Sequence, residues 1–203
     1  MFRAEKGFLI FWITLILSLP SPGFAEEPES AVRQLLDSIR MIKDGEDISA
    51  KQKKINQKLS DLALARLDIT EVSRKTLGHY WGNRTPTEQE QFVQLLSKLF
   101  VKEAFPNSGK FFAELALVYG KPKMKNASAS VPVMVIHQDE GEVEIDFHML
   151  NHSGKWRVVD VDLDGISMRN NLRSKFYKII GKHDYKELIR RMGSKLKDLE
   201  SNY

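Results

Sequence analysis

The sequence predicts an α+β domain with helices packed on an antiparallel sheet. Apolar residues recur at helical spacing from Pro28 to about Phe105, and alternate with a period of two from about Phe111 to Leu163. They return to helical spacing between Met168 and Leu199. Helical and strand-like stretches segregated in this way make an α+β arrangement and not alternating βα units.

Met1–Ala25 reads as an address label, outside the fold. Arg3 and Lys6 give a cationic start. Phe8–Leu19 is apolar apart from Thr14 and Ser18, and Pro20-Ser21-Pro22 leads to small residues at Gly23 and Ala25. That is the layout of a secretory signal peptide cleaved after Ala25. A permanent anchor is the rival reading, but a run of this length spans about 18 Å as helix against a hydrocarbon core of about 30 Å. The expected domain is therefore 26–203.

Pro28 opens a first helix, with Val32, Leu35, Leu36, Ile39 and Ile42 on one face. Asp47 suits the cap of a second helix, expected to turn Ile48, Ile55, Leu59 and Leu62 inward and to leave Lys51, Lys53, Lys54 and Lys58 mostly in water. The short apolar knot Leu67-Asp68-Ile69 leads to a third helix carrying Val72, Leu77 and Trp81. Thr85-Pro86-Thr87-Glu88 is the sharpest local signal: an N-cap, a proline at the first helical position and a capping-box glutamate. Phe92, Leu95, Leu96, Leu99 and Phe100 follow as one stripe, predicting a long helix to about Phe105.

The strand region begins near Phe111. Val131, Val133 and Val135 alternate around Pro132, whose missing amide proton predicts an edge or a bulge. Val143, Ile145, Phe147 and Met149 alternate with Glu142, Glu144, Asp146 and His148, as in a half-buried strand. Asp139-Glu140-Gly141 and Asn151-His152-Ser153-Gly154 read as hairpin turns, and Trp156–Leu163 as the next strand. Met168, Leu172, Phe176, Ile179 and Ile180 share a helix face. Asp184 with Glu187 forms a second capping-box pattern, ahead of a last helix lined by Leu188, Ile189, Met192, Leu196 and Leu199.

Composition removes whole classes of function. With 42% hydrophobic and 29% charged residues the chain is neither a disordered tail nor a multi-pass membrane protein. The absence of cysteine removes disulfides, thiol nucleophiles and cysteine zinc sites. The net charge of +4 falls by one if residues 1–25 are removed with Arg3, Lys6 and Glu5. So mild and scattered an excess argues against a nucleic-acid partner.

Chemistry-bearing motifs fail on inspection. Asp160-Val161-Asp162-Leu163-Asp164-Gly165 opens like a calcium loop, but its twelfth position is Asn171 where a bidentate glutamate belongs, and it follows a strand. Gly165-Ile166-Ser167-Met168-Arg169 ends in arginine, so it is no nucleophile elbow, and Ser167 suits a helix cap. His79, His137, His148, His152 and His183 form no HExxH pair, and His148 and His152 straddle a strand end and a turn. Lys121, Lys123 and Lys125 alternate as on a solvated sheet edge, with weak anionic-headgroup contact as the other reading. No catalytic group, metal or cofactor is expected. An exported domain rich in apolar faces points to binding and not to turnover.

Three runs carry a family resemblance: Trp156-Arg157-Val158-Val159-Asp160-Val161, then Asp164-Gly165-Ile166-Ser167-Met168, then Asn171-Leu172-Arg173-Ser174-Lys175-Phe176. They resemble the W-x-V-x-D-V, E-G-V-S-hydrophobic and N-Y-R-x-x-F run of the MlaC, or toluene-tolerance, family. Asp184-Tyr185-Lys186-Glu187-Leu188-Ile189 is similar to that family's G-x-D-x-L-I ending. Leu77-Gly78-His79-Tyr80-Trp81, followed by Thr85-Pro86-Thr87-Glu88-Gln89 and Phe92, resembles its L-G-x-x-W…T-P-x-Q-x-x-x-F segment. The matches run from about Leu67 to Met192 in family order. Asp164 stands for Glu, Leu172 for Tyr, and Pro106-Asn107-Ser108-Gly109 interrupts the chain after the long helix.

The resemblance implies a monomeric periplasmic lipid carrier, with helices on a curved antiparallel sheet enclosing an apolar lipid cavity. Such carriers move phospholipid between an outer-membrane lipoprotein–porin complex and an inner-membrane ABC transporter with an MCE subunit. A related branch is associated with hopanoid synthesis, which makes a triterpenoid the alternative ligand. On this reading Val143, Ile145, Phe147 and Met149 supply the sheet side of the pocket, and Leu77, Trp81, Phe92, Leu96 and Phe100 the helix side. An ordinary solid core would use the same positions. Arg173 and Asp160 suit a structural ion pair better than ligand contact. Two other readings stay open: a small cone-shaped enzyme with Asp146, His148 or Asp160 converging inside, and a non-catalytic adaptor with a filled core.

Overall fold

The computed structural model describes residues 26–45, 48–137 and 141–201. The leader, Asp47 and the Asp139-Glu140 part of one expected turn lie outside them. Helix α1 (Pro28–Arg40) buries Val32, Leu35, Leu36 and Ile39 against the sheet, as its stripe requires. Helix α2 (Ala50–Ala65) is capped by Ser49, whose side chain accepts from the Gln52 amide. It packs on α1 through Leu59 and Ala63, while Ile55 and Leu62 stay exposed. The inward face of α2 is thus narrower than its apolar positions suggested, because α1 is its main neighbour.

The apolar knot after α2 becomes a staple. Leu67 bridges to Val158, with the Asp68 amide donating to the Val158 carbonyl at 2.9 Å and the Val158 amide to the Arg66 carbonyl at 2.8 Å. Helix α3 (Ile69–Leu77), capped by Asp68, ends at Gly78, and Trp81 lies in the 3₁₀ turn Gly78–Asn83 beyond it. Helix α4 (Pro86–Leu99) begins in the expected capping box, with Thr85 and Glu88 bonded reciprocally.

The long helix does not stop at Phe105. It widens into a π segment, Phe100–Ala104, and continues as α5 (Phe105–Phe112), which accommodates Pro106 within its first two positions. Pro106-Asn107-Ser108-Gly109, expected to interrupt the chain, is therefore helical. Gly109 has a packing reason: a β-carbon there would stand 2.7 Å from the Ile39 carbonyl oxygen of α1.

Strands β1 (Ala116–Tyr119), β2 (Lys123–Lys125), β3 (Ser128–His137), β4 (Gly141–His152), β5 (Lys155–Leu163) and β6 (Ile166–Ser167) form one antiparallel sheet in the order β1-β3-β4-β5-β6, with β2 also on β3. Pro132 sits where β3 passes from β1 to β2, and its carbonyl accepts from Gly120 at 2.8 Å on that outer side. β3 is thus an interior strand without a bulge at Pro132, and the missing donor falls in the gap between its β1 and β2 pairings and not on the edge or bulge expected. Val131, Val133 and Val135 face Phe147, Ile145 and Val143 across the β3–β4 ladder. Between β4 and β5 the register slips: His148 pairs with Asp160 but Met149 with Val158, leaving Val159 as an extra residue. This β-bulge moves the inward set from Trp156 and Val158 to Val161 and Leu163, and bulges bend the strand that holds them. Ser153 (φ 54°) with Gly154 (φ 84°), and Asp164 (φ 47°) with Gly165 (φ 74°), form two-residue turns closing β4–β5 and β5–β6.

Helix α6 (Met168–Lys182) starts at Ser167, which accepts from the Asn170 amide, and α7 (Tyr185–Ser201) starts at Asp184, which accepts from Glu187. Glu187 turns its carboxylate to Arg190 and Arg191, so the expected second box is a single cap. The buried side chains fall into two clusters. One joins α1, α2, α5 and the sheet; the other joins α3, α4, α6 and α7.

Candidate functional site

The two clusters do not close on each other everywhere. Between them lies a cavity of about 680 Å³. Its floor is the sheet, through Ile145 and Phe147 of β4 and Val158, Val159, Val161 and Leu163 of β5. Leu35, Leu36 and Ile39 of α1 form one wall. A second wall is the continuous face Leu96, Phe100, Ala104, Ser108 and Phe111 running from α4 through the π segment into α5. A third is Met168, Leu172, Phe176 and their neighbours on α6. Phe100 packs against both clusters, and so belongs to the seam.

The opening follows from exposure. A residue that lines the cavity and is also open to solvent must stand at the mouth. Asn107 and Phe111 on α5, and Met168, Asn171 and Lys175 on α6, meet both conditions. The mouth therefore lies between these two helices. Phe111 is 48% exposed and Met168 37%, so the lip is apolar as well as polar.

Residues 31–194 match the family described as MlaC protein. The chain belongs to the MlaC family. No curated protein matches it in sequence. In fold it is similar to a phospholipid-binding protein from Ralstonia solanacearum, solved in complex with a phospholipid. That structure is 17% identical, the likeness covers 85% of this chain and 96% of that one, and the TM-score is 0.68.

In this MlaC-family chain the nine positions expected to line a pocket divide. Leu96, Phe100, Ile145 and Phe147 line the cavity. Leu77 and Phe92 do not: both are fully buried in the second cluster, where Phe92 meets Phe176 edge to face at 5.6 Å. Trp81 packs half-buried on the same cluster. The amino-terminal half of α4 lies against α6 and α7, which turns Phe92 away from the sheet. Met149 and Val143 belong to the sheet core beyond the cavity's ends, Met149 opposite Val158 and Val143 opposite Val135. The walls from α1, α5 and α6 were legible only as apolar stripes.

Asp146, His148 and Asp160 do not converge. Ser130 donates to Asp146 at 2.9 Å, and His148 contacts Asp162 at 2.8 Å. Asp160 borders the cavity, but its carboxylate accepts from the Ser167 hydroxyl and the Arg169 amide and pairs with the Arg169 guanidinium. The ion pair of Asp160 is thus with Arg169, while Arg173 lies over the Tyr177 ring at 4.9 Å. Among the described residues no group of three or more His, Asp or Glu is placed to hold a metal ion.

Proposed function

We propose that this protein is a periplasmic lipid carrier that holds the acyl chains of a phospholipid in the cavity between sheet and helices. The observation that carries the reading is the cavity itself. Its volume falls within the ~300–1,000 Å³ of ordinary ligand pockets, and its floor and walls are built mainly from aliphatic and aromatic side chains. The phospholipid bound by the similar Ralstonia solanacearum protein supports the same ligand class.

The energetics are coherent with that role. Drawing a sixteen-carbon chain out of a bilayer forfeits about 0.8 kcal/mol per methylene, on the order of 12 kcal/mol in all. Only a comparably apolar interior offsets such a loss. Moving a lipid breaks no covalent bond, so the protein works as a binder and not as an enzyme. Leu96, Phe100, Ile145 and Phe147 contact the chains, together with Val161 and Leu163 across the sheet. Residues 1–25 direct export and are removed. The route runs between an outer-membrane lipoprotein–porin complex and an inner-membrane ABC transporter with an MCE subunit. Among the described residues no helix is long and apolar enough to cross a membrane.

The test is direct. Protein purified without detergent is extracted with organic solvent, and the extract is read by mass spectrometry. Phospholipid in near-stoichiometric amount is the expected result. Well-folded preparations that repeatedly yield none contradict the proposal.

A further inference from the structure

The cavity mouth carries a charge pattern that its apolar interior does not explain. Four charged side chains border the cavity, Glu103, Asp160, Arg169 and Lys175, and three of them are neutralised. Glu103 pairs with Lys195 at 2.7 Å, and Arg169 with Asp160 at 3.1 Å. Lys175 has no ion-pair partner among the described residues. It is exposed, one helical turn beyond Asn171 on the same face of α6. A lysine so placed covers apolar wall with its methylenes and presents its ammonium group to water at the lip. Asn107, across the opening on α5, and Asn171 add amide donors whose side chains are uncommitted among the described residues.

We propose that Lys175, with Asn171 and Asn107, forms a phosphate subsite at the mouth, and that it selects phosphate-bearing lipids over uncharged lipids with the same tails. The inference rests on the carrier reading and adds the headgroup chemistry to it. A lipid whose tails fill the cavity leaves its headgroup between α5 and α6. A phosphodiester there meets one cation and two amide donors, while the nearest carboxylates are already neutralised. A charge-assisted contact is about twice as strong as a neutral one. An uncharged polycyclic or diacyl lipid gains nothing from Lys175.

The experiment offers delipidated protein equimolar phosphatidylglycerol and diacylglycerol of identical chains in uncharged detergent micelles, and counts the bound lipids by mass spectrometry. Wild type is expected to favour phosphatidylglycerol roughly tenfold, the low end for one net hydrogen bond to a charged group. Lys175→Glu is expected to abolish or reverse that preference, and Lys175→Arg to keep it. Diacylglycerol uptake equal in all three proteins shows that the cavity is intact. No preference in wild type, or an unchanged preference in Lys175→Glu, overturns the subsite and leaves the carrier reading standing. Uptake of neither lipid by wild type sinks the carrier reading instead. Inorganic phosphate in large excess is expected to leave the preference in place, because the tails tether the lipid phosphate at high local concentration. Loss of phosphatidylglycerol uptake under that competition would assign the subsite to free phosphate and overturn the lipid assignment.

Discussion

Asp160 grips Arg169 twice, at its backbone amide (3.0 Å) and at its guanidinium (3.1 Å). The same carboxylate accepts from the Val161 amide at 2.8 Å and from the Ser167 hydroxyl at 2.7 Å, and Ser167 in turn caps α6 at Asn170. One buried side chain at the end of β5 therefore fixes where α6 begins, and with it the α6 side of the mouth. Asp160→Ala strands the Arg169 charge and the Ser167 hydroxyl. The expected loss is about 3–5 kcal/mol of unfolding free energy, as for breaking a buried pair. Urea unfolding checks it. A loss below that of the cap variant Ser167→Ala, about 1 kcal/mol, would show that Asp160 does not organise this junction.

Filling the cavity separates binding from folding. Val161→Trp puts an indole into the space between sheet and helices, where Val161 forms part of the floor. Lipid recovered per folded protein should fall at least tenfold while the melting temperature holds, since the added atoms occupy a void and not a packed core. Phe92→Ala makes the opposite cut. It removes a fully buried ring from the second cluster at a cost of about 3–5 kcal/mol. Below its melting temperature it should keep its lipid. Lipid loss confined to Phe92→Ala would return that residue to the pocket wall.

Phe147→Asp is expected to fail on both counts. The residue is buried, lines the cavity and faces Val131 and Val161 on its two neighbouring strands. A carboxylate there lacks a partner, so both stability and lipid retention should drop. Retention of lipid at wild-type level in folded Phe147→Asp would refute the β4 contribution to the site.

Local chemistry was legible in the sequence wherever one residue type satisfies one local need. Thr85 with Glu88, Ser167 as a cap, and Ser153-Gly154 in a hairpin turn all follow from hydrogen-bond and φ requirements within four residues. Long-range facts were not. Whether Leu62 faces in or out depends on what α2 packs against, and periodicity does not name the neighbour. Glu187 had two cations within reach on α7, and a pair of arginines outbid a backbone amide. The bulge at Val159 leaves no mark in the sequence, where Val158-Val159-Asp160 does not read as three consecutive buried residues. An apolar stripe lining a void reads the same as one filling a core, so Phe92 and Leu96 were indistinguishable although only Leu96 meets the cavity.

Two glycine-to-alanine substitutions should move stability in opposite directions. Gly109 sits inside α5, where alanine gains about 1 kcal/mol of helix propensity. Its β-carbon, however, would meet the Ile39 carbonyl at 2.7 Å, and backbone on both sides leaves little room to yield. Overpacking of this kind costs about 1–3 kcal/mol, so Gly109→Ala should destabilise. Gly193 in α7 faces open space, with nothing within 4 Å of an added β-carbon. Gly193→Ala should raise stability by about 0.5–1 kcal/mol. Paired thermal melts decide it. A stabilised Gly109→Ala would mean that α1 and α5 can part easily.

Tyr185 ties stability to alkaline pH. Its ring is buried in the second cluster, its hydroxyl donates to the Glu88 carbonyl at 3.1 Å, and Arg84 lies 4.6 Å from the ring centroid. Burial pushes its pKa up to about 12, with the Glu88 charge adding to the shift and Arg84 opposing it. The unfolded chain releases this proton near pH 10, well before the folded chain does. Between about pH 10 and 12 the native state therefore binds more protons, and stability falls as pH rises. The contribution is complete below pH 10 and lost as pH climbs through the folded value. Tyr185→Phe should lose about 1 kcal/mol at neutral pH with the hydrogen bond, yet decline less steeply above pH 10, by a slope difference approaching one proton. Other tyrosines and lysines titrate alike in both proteins, so the difference isolates this hydroxyl. Parallel pH profiles for the two proteins would show that Tyr185 ionises as freely folded as unfolded, and that the α4–α7 contact is open to water.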